Sequence, residues 1–248
     1  MALSIQKAVL VSKIKFNLNM EPRIISLNVR LWTKENNPFK PHFWLWRTFK
    51  QAGLFRRENP DIICLQEVEK PVGRFLLGLW NYKGFAIDTR IPIFVKKSFL
   101  KQFTTYRCVS VCGNADTNGH GIATLSLYRT YEKPLHIQNC HYSWQTEEVK
   151  DEMEFGFCEN TIFCGDMNTD INRFIDNLKE YADLNDSNFV IYPKTPEGPT
   201  YISYGEPLKY RGDIDQFGYV GFNPPKAEVV VLPDRVSDHF PILATIEI

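Results

Sequence analysis

Short apolar runs recur along the chain, and several of them end on a compact polar group. Stretches rich in Val, Ile, Phe and Tyr at 23–28, 62–67, 85–88, 91–95, 106–111, 122–128, 135–141, 161–166, 214–219, 228–232 and 242–246 are bounded by Gly, Pro, Asn and Asp. Such runs predict strands. Helical spacing is found at 42–57, 146–157 and 171–181; in the last, Ile171, Phe174, Ile175 and Leu178 repeat at the helical period and Asp170 can cap the start. Many strands with few helices predict an α/β (α+β) chain: two mainly antiparallel or mixed β-sheets packed face to face, with helices outside.

Five polar groups stand at the ends of apolar runs. They are Ile25-Ser26-Leu27-Asn28, Cys64-Leu65-Gln66-Glu67, Gly165-Asp166-Met167-Asn168, Asp213-Ile214-Asp215, and Val236-Ser237-Asp238-His239 just before the closing run 242–246. In packed sheets these ends gather along one rim, so acids, amides and an imidazole converge there. A carboxylate following a run as apolar as Ile62-Ile63-Cys64-Leu65 needs a partner, which disfavours a plain strand-end ion pair for Glu67. Asp166 and Asn168 could instead form a turn and a helix cap, a task that Asp170 already covers.

Composition narrows the class without choosing a function. A chain of 248 residues with 44% hydrophobic and 23% charged content can bury a full core. It has no linker-like tract and no repeat, which predicts a single domain over 23–248. Residues 1–22 read as an N-terminal extension, either disordered or upstream of a true start at Met20. No apolar run reaches the length of a membrane span, and Lys7, Lys13, Lys15 and Asn17 interrupt any signal-peptide core. Six cysteines without a signal peptide predict free thiols and an intracellular setting, cytoplasmic or nuclear; Cys108 and Cys112 have no matching ligand pair for zinc.

Net charge is zero, but it is unevenly spread. Residues 1–60 hold eleven Lys or Arg against three Asp or Glu, a net of +8, so the remainder carries −8. Arg30, Lys34, Lys40, Arg47, Lys50, Arg56 and Arg57 interleave with Trp32, Phe43, Trp44, Trp46 and Phe49. Cations attract phosphates and rings stack on bases, which suggests a polyanionic partner. The simpler reading of 42–57 is an amphipathic helix with its aromatics inward and its basic side in water. Nothing in the sequence calls for an obligate protein partner.

Taken in order, Asn28, Glu67, His141, Asp166 with Asn168, Asp215, and Asp238 with His239 resemble the motifs of the endonuclease/exonuclease/phosphatase (DNase I-like) superfamily, over residues 23–246. Each motif is weak alone; their order and their placement at strand ends make the resemblance specific. It implies a four-layer α/β/β/α sandwich and a Mg²⁺-dependent phosphodiesterase, with Mn²⁺ as a substitute. Hard oxygen donors suit that ion. The resemblance implies metal binding by Glu67, Asn28 and Asp238. It makes Asp166 the group that orients or deprotonates the attacking water, beside Asn168. His239 would stabilise the phosphate oxygens, held protonated by Asp215, with Asp213 as the rival partner. His141 would contact the phosphate or leaving group, as in branches other than the exonuclease III-like one.

Arg30 departs from the acid or amide found in the exonuclease III-like and tyrosyl-DNA phosphodiesterase branches. It removes a possible metal ligand and can bind substrate phosphate, together with Trp32 and Asn168. Nucleic acid is the favoured substrate, for a nuclease or an end-processing enzyme. The alternatives are a phosphatase or phosphodiesterase for inositol phosphates or phospholipid head groups, and a catalytically dead binding module. His42, His120 and His136 lie in no such motif.

Overall fold

The computed structural model describes residues 20–30, 37–39, 43–69, 81–112, 120–130, 132–142, 160–169, 173, 176, 190–194, 199–202, 211–212, 214–221 and 226–247. In chain order the strands are β1 (Arg23–Asn28), β2 (Ile62–Gln66), β3 (Tyr82–Phe85), β4 (Ile93–Lys96), β5 (Thr105–Cys112), β6 (Gly121–Tyr128) and β7 (Leu135–His141). They continue as β8 (Thr161–Asp166), β9 (Val190–Lys194), β10 (Tyr201–Ile202), β11 (Arg211–Gly212), β12 (Asp215–Gly221), β13 (Ala227–Val231) and β14 (Ile242–Ile246). Two six-stranded sheets, β13-β14-β1-β2-β4-β3 and β5-β6-β7-β8-β12-β9, pack together, and β10-β11 form a short ribbon.

Both sheets are mixed, and each has one parallel pair. β1 runs parallel to β2 with Asn28 opposite Gln66, and β7 runs parallel to β8 with His141 opposite Asp166. Parallel neighbours deliver their C-terminal residues to the same edge. β12 is antiparallel to β8 and starts there, Asp215 opposite Asp166, while β14 starts beside Ser26 immediately after the Asp238-His239 pair. The topology therefore brings all five polar groups to one rim.

The pleat explains how an apolar interior opens into a polar site. Alternate residues of a strand share a face. Ile24, Ile62, Cys64, Ile137, Ile162 and Cys164 belong to the core cluster between the sheets. The next inward positions are Ser26, Gln66 and Asn139, which bond one another: Gln66 Nε2 donates to Ser26 Oγ at 3.2 Å and to Asn139 Oδ1 at 2.6 Å. Asn139 Nδ2 in turn donates to the carbonyls of Leu65 and Pro92. The same faces then end in Asn28, His141 and Asp166. Cys64, Cys108, Cys140 and Cys164 form no disulfide. Burial, then contact with Cys164, raises the Cys64 thiol well above its ordinary range, so it packs as an apolar group.

Helix α1 (Trp44–Glu58) covers the outer face of the first sheet, where Leu54 and Phe55 join Ile25, Leu27, Ile63, Leu65 and Phe94 in a second core cluster, with Trp44 packed against it. It stops at Asn59, which takes the left-handed conformation (φ 47°) and returns its N–H to Phe55 O at 2.9 Å before Pro60. Arg56 and Arg57 in the last turn suit the helix dipole. The inward-aromatic reading of this segment is only half right. Trp46 and Phe49 are 52% and 50% exposed, while Arg47 is 3% exposed. The buried guanidinium has a task at the site.

The strand expected at 85–88 lies earlier, at Tyr82–Phe85, because those residues pair with Ile93–Lys96 and Ala86 (φ 52°) begins the turn. β9, β10, β11 and a helical turn at Lys97–Leu100 lacked a clear pattern in the sequence. The N-terminal extension up to residue 19, Trp32, Asp170, Asp213 and the predicted helix 146–157 fall outside the described residues. Of the helix predicted at 171–181, only Arg173 and Asp176 are described, both helical. Among the described residues no helix is long and apolar enough to cross a membrane.

Candidate active site

Asp166, Asp215 and His239 are buried together, and one ligand atom from each lies within 4.8 Å of the others. His239 Nδ1 stands 2.9 Å from Asp215 Oδ2, and its Nε2 is 3.7 Å from Asp166 Oδ2. Burial alone would lower the imidazole's pKa. The charge of Asp215, then that of Asp166, overcomes this and raises it well above the ordinary value. Asp215 is itself pushed up to about 6 by burial, against the pull of the imidazolium. At neutral pH the imidazole keeps the proton and Nδ1–H donates to Asp215. The same three groups are close enough to share a cation, which would require the imidazole to give up that proton.

Asp166 also carries a raised pKa, because it is buried. The charge of His239, a hydrogen bond from Asn28 and the N–H of Asn168 oppose that rise, whereas the charge of Glu67 adds to it. Asn28 links the two acids: its Nδ2 donates to Asp166 Oδ2 at 2.9 Å and to Glu67 Oε1 at 3.1 Å. Its Oδ1 accepts the N–H of Arg30 at 2.9 Å, which fixes the orientation of the amide. His141 Nε2 stands 3.7 Å from Asp166 Oδ2 and 3.9 Å from Glu67 Oε1, beyond hydrogen-bonding distance.

Backbone geometry aims these groups. Arg30 (φ 61°), Glu67 (φ 58°) and Asn168 (φ 50°) adopt the left-handed conformation just beyond β1, β2 and β8. Asn tolerates it, but for Arg and Glu it costs about 1–3 kcal/mol that the surroundings must offset. Asn168 is tied by its N–H to Asp166 Oδ1 (2.9 Å) and by its Nδ2 to the Tyr142 carbonyl (2.7 Å). Gly165 (φ 145°) brings β8 so near β7 that a Cβ would collide with the Cys140 carbonyl oxygen. Arg30 and Asp238, predicted separately for substrate and metal, are paired with one another: Arg30 Nη1 is 2.7 Å from Asp238 Oδ2. Ser237 Oγ donates to Asp238 Oδ1 at 3.0 Å.

Several supporting residues had no motif in the sequence. From the buried side of α1, Arg47 Nη1 donates to the Val29 carbonyl (2.7 Å) and Gln51 Nε2 to the Val236 carbonyl (3.1 Å). One helix thus holds the two loops that carry Arg30 and Asp238-His239. Thr200 Oγ1 accepts the N–H of Asp215 at 3.0 Å, and its carbonyl accepts the N–H of Phe240 at 2.7 Å. Tyr201 packs on the His239 ring at a centroid distance of 4.8 Å. His120, buried at the start of β6, meets the ring of His141 edge-on at 4.9 Å. Its position is explained by pairing, since the next residue, Gly121, lies opposite His141.

A family model described as the endonuclease/exonuclease/phosphatase family matches residues 50–239. No curated protein matches the chain by sequence. Among solved structures, TDP2 of D. rerio, complexed with a single-strand DNA product, superposes with a TM-score of 0.63 at 14% identity, covering 93% of this chain and 100% of that one. An endonuclease/exonuclease/phosphatase from Bacteroides vulgatus gives a TM-score of 0.64 at 18% identity, with 92% and 99% covered. A truncated Caenorhabditis elegans TDP2 gives 0.63 at 17%, with 92% and 98% covered. At these identities the likeness is one of fold, and it agrees with two packed mixed sheets of the DNase I-like sandwich.

Proposed function

The chain belongs to the endonuclease/exonuclease/phosphatase family, and on that premise we propose that it is a divalent-metal-dependent phosphodiesterase whose substrate is nucleic acid. The observation that carries the reading is the buried Asp215–His239–Asp166 array beside the Asn28-linked pair Asp166 and Glu67. Its residues supply a base, a protonated donor and a cation-seeking acid within one rim.

The donor set fits a hard cation. Glu67 and Asp166 are like charges on one amide, and the charge of Glu67 adds to the rise in the Asp166 pKa, strain that a cation would relieve. Glu67 would hold Mg²⁺, or Mn²⁺ in its place, together with the second lone pair of Asn28 Oδ1. When bound, the ion screens phosphate charge and stabilises the charge that develops on transfer.

The chain's own residues do the rest. Asp166 accepts the proton of the attacking water; its raised pKa makes it a stronger base than a surface carboxylate, and Asn28 and the Asn168 N–H keep it oriented. His239 presents Nε2–H to a non-bridging phosphate oxygen, and Asp215 keeps that proton in place. His141 stands on the Glu67 side of Asp166, where Nε2 can reach a phosphate or leaving-group oxygen. Asn168 steadies the water side, while Arg30, and Trp32 beyond the described residues, meet the substrate. The functional unit is the single domain over 23–248.

Nucleic acid is favoured by the exposed Trp46, Phe49 and Lys50 on α1 and by the basic balance of residues 1–60 in the sequence, although Arg23, Arg30 and Arg57 of that stretch are paired with Glu58, Asp238 and Asp234. The D. rerio neighbour holding single-strand DNA supports the same substrate class. The test is incubation with labelled single- and double-stranded DNA, RNA and a 5′-tyrosyl oligonucleotide, with Mg²⁺ or EDTA and with Glu67→Gln as control. Mg²⁺-dependent cleavage lost in Glu67→Gln is expected. Intact polymers alongside phosphate release from an inositol phosphate would replace the substrate class, and no hydrolysis of either kind would leave a binding module.

A further inference from the structure

Two acids at the mouth of the site have different surroundings. Glu67 shares the Asn28 amide with another carboxylate, Asp166, whose other neighbour is the His239 ring at 3.7 Å. Asp238 already holds a cation. Its Oδ2 receives the Arg30 guanidinium at 2.7 Å and its Oδ1 the Ser237 hydroxyl at 3.0 Å, and the carboxylate is nearly buried. The guanidinium is a cation carried by the chain itself, and it faces Asp238 directly.

The contact is also built in advance. Arg30 is turned toward Asp238 by a left-handed backbone (φ 61°) and an N–H captured by Asn28 Oδ1. The loop of Arg30 is pinned through Val29 by Arg47, and the loop of Asp238 through Val236 by Gln51. Two loops far apart in sequence are thus fixed to one helix at the point where guanidinium and carboxylate meet. An ordinary exposed pair, free to swing, would contribute little; this one is largely shielded and held from both sides.

We propose that the Arg30 guanidinium stands in for a second divalent cation: it occupies the cation position at Asp238, so the site takes one ion, on the Glu67 side, and the phosphate meets a fixed guanidinium on the other. An acid at position 30 would put two carboxylates face to face, which is the donor chemistry of a second Mg²⁺ or Mn²⁺ position. Arg30 is therefore the residue that sets the ion count. This inference rests on the metal-dependent reading above and adds its stoichiometry and the source of the second positive charge.

The experiment is a count of bound Mn²⁺ on the full chain, by electron paramagnetic resonance of the free ion and by calorimetry, without substrate. Wild type should bind one ion and lose it in Glu67→Gln. Asp238→Asn should still bind one. Arg30→Lys, which keeps the charge, should bind one, and Arg30→Asp should gain a second, weaker one. Circular dichroism melts establish that each variant is folded; wild type and Arg30→Lys decide the matter if Arg30→Asp is not. Two ions in wild type, loss of the ion in Asp238→Asn, or a folded Arg30→Asp that still takes one would each overturn the inference while leaving metal dependence intact. No ion in wild type would overturn the metal reading as well, and the hydrolysis assay in EDTA separates that case.

Discussion

His239 Nδ1 lies 2.9 Å from Asp215 Oδ2, and both side chains are buried at the rim where β8, β12 and the turn before β14 meet. Asp166 approaches the other ring nitrogen, so one imidazolium stands between two carboxylates. The arrangement makes the pH dependence of turnover predictable in sign. In the proposed mechanism Asp166 is ionised to accept a proton, and its pKa is raised; the acid limb should therefore fall above the ordinary carboxylate range. In the same proposal His239 keeps its proton, and its pKa is raised; the alkaline limb should fall above the ordinary histidine range. In Asp215→Asn the alkaline limb should drop by about 1–3 units, and kcat at neutral pH by about 10²-fold or more. A pH–rate profile of both proteins checks this, and an unmoved alkaline limb would remove His239 from the acid role.

The same proton links to stability. A group whose pKa is raised on folding stabilises the fold fully below its unfolded value, 6.5 for the imidazole, and that contribution is lost as the pH rises through the folded value. Wild type should exceed His239→Gln in melting temperature most clearly below pH 6.5, and the gap should narrow on the alkaline side. Melts of the two proteins at a series of pH values test it. A gap that widens with pH would mean that the imidazole is buried neutral.

Much of this site was legible because its chemistry is local to strand ends. Asn28, Glu67, Asp166 and His239 each follow or precede a run whose apolar pattern marks the strand, and the parallel pairs then align those ends. Asp215 and Asp213 stand two residues apart and would share a strand face, so the pattern alone leaves both open. The supporting contacts had no such signature. Arg47 read as one more cation of a basic helix, and its burial depends on a carbonyl at Val29 that no periodicity reveals. Thr200 and Tyr201 reach Asp215 and His239 from a short ribbon whose strands have too few residues to show a pattern. The opposite error came from polarity: Trp46 and Phe49 were expected inside because they are apolar, yet the buried positions of α1 include Arg47 and Gln51, which meet loop carbonyls rather than the core.

That use of Arg47 can be tested directly. Arg47 is 3% exposed, and its guanidinium donates to Val29 O at 2.7 Å. Arg47→Leu removes a charged donor from a buried carbonyl and should destabilise the protein by about 2 kcal/mol. If Arg47 also positions the Asn28–Arg30 loop, kcat should fall in protein that remains folded while KM changes little, and Arg47→Lys should restore part of kcat. Loss of stability with unchanged kcat would make the contact merely structural.

Gly165 is a stricter constraint. Its backbone is left-handed side of extended, φ 145°, and a Cβ would collide with Cys140 O across the parallel β7–β8 pair. The pair cannot separate without moving His141 and Asp166 apart, since those residues are in register. Gly165→Ala should therefore cost about 4 kcal/mol or more, the range reserved for overpacking and backbone strain. Denaturant unfolding would show it as a large fall in midpoint; a loss under about 1 kcal/mol would mean that the strands can shift apart freely.

The exposed side of α1 offers a test between polymer substrates and small ones. Trp46 is 52% exposed, with the Phe49 ring centroid 6.3 Å away and Lys50 exposed beside them. Arg47 on the buried side of the same helix bonds Val29, so this end of α1 lies near the loop that leaves β1 for the site. A base stacked on the indole would contribute about 1–3 kcal/mol. Trp46→Ala should therefore weaken single-strand binding by about 10-fold or more and leave hydrolysis of a small phosphodiester such as bis(p-nitrophenyl) phosphate unchanged. Lys50→Gln should flatten the salt dependence of polymer binding by about one phosphate contact. Equal losses on the polymer and the small substrate would instead trace the effect to the Arg47–Val29 tether.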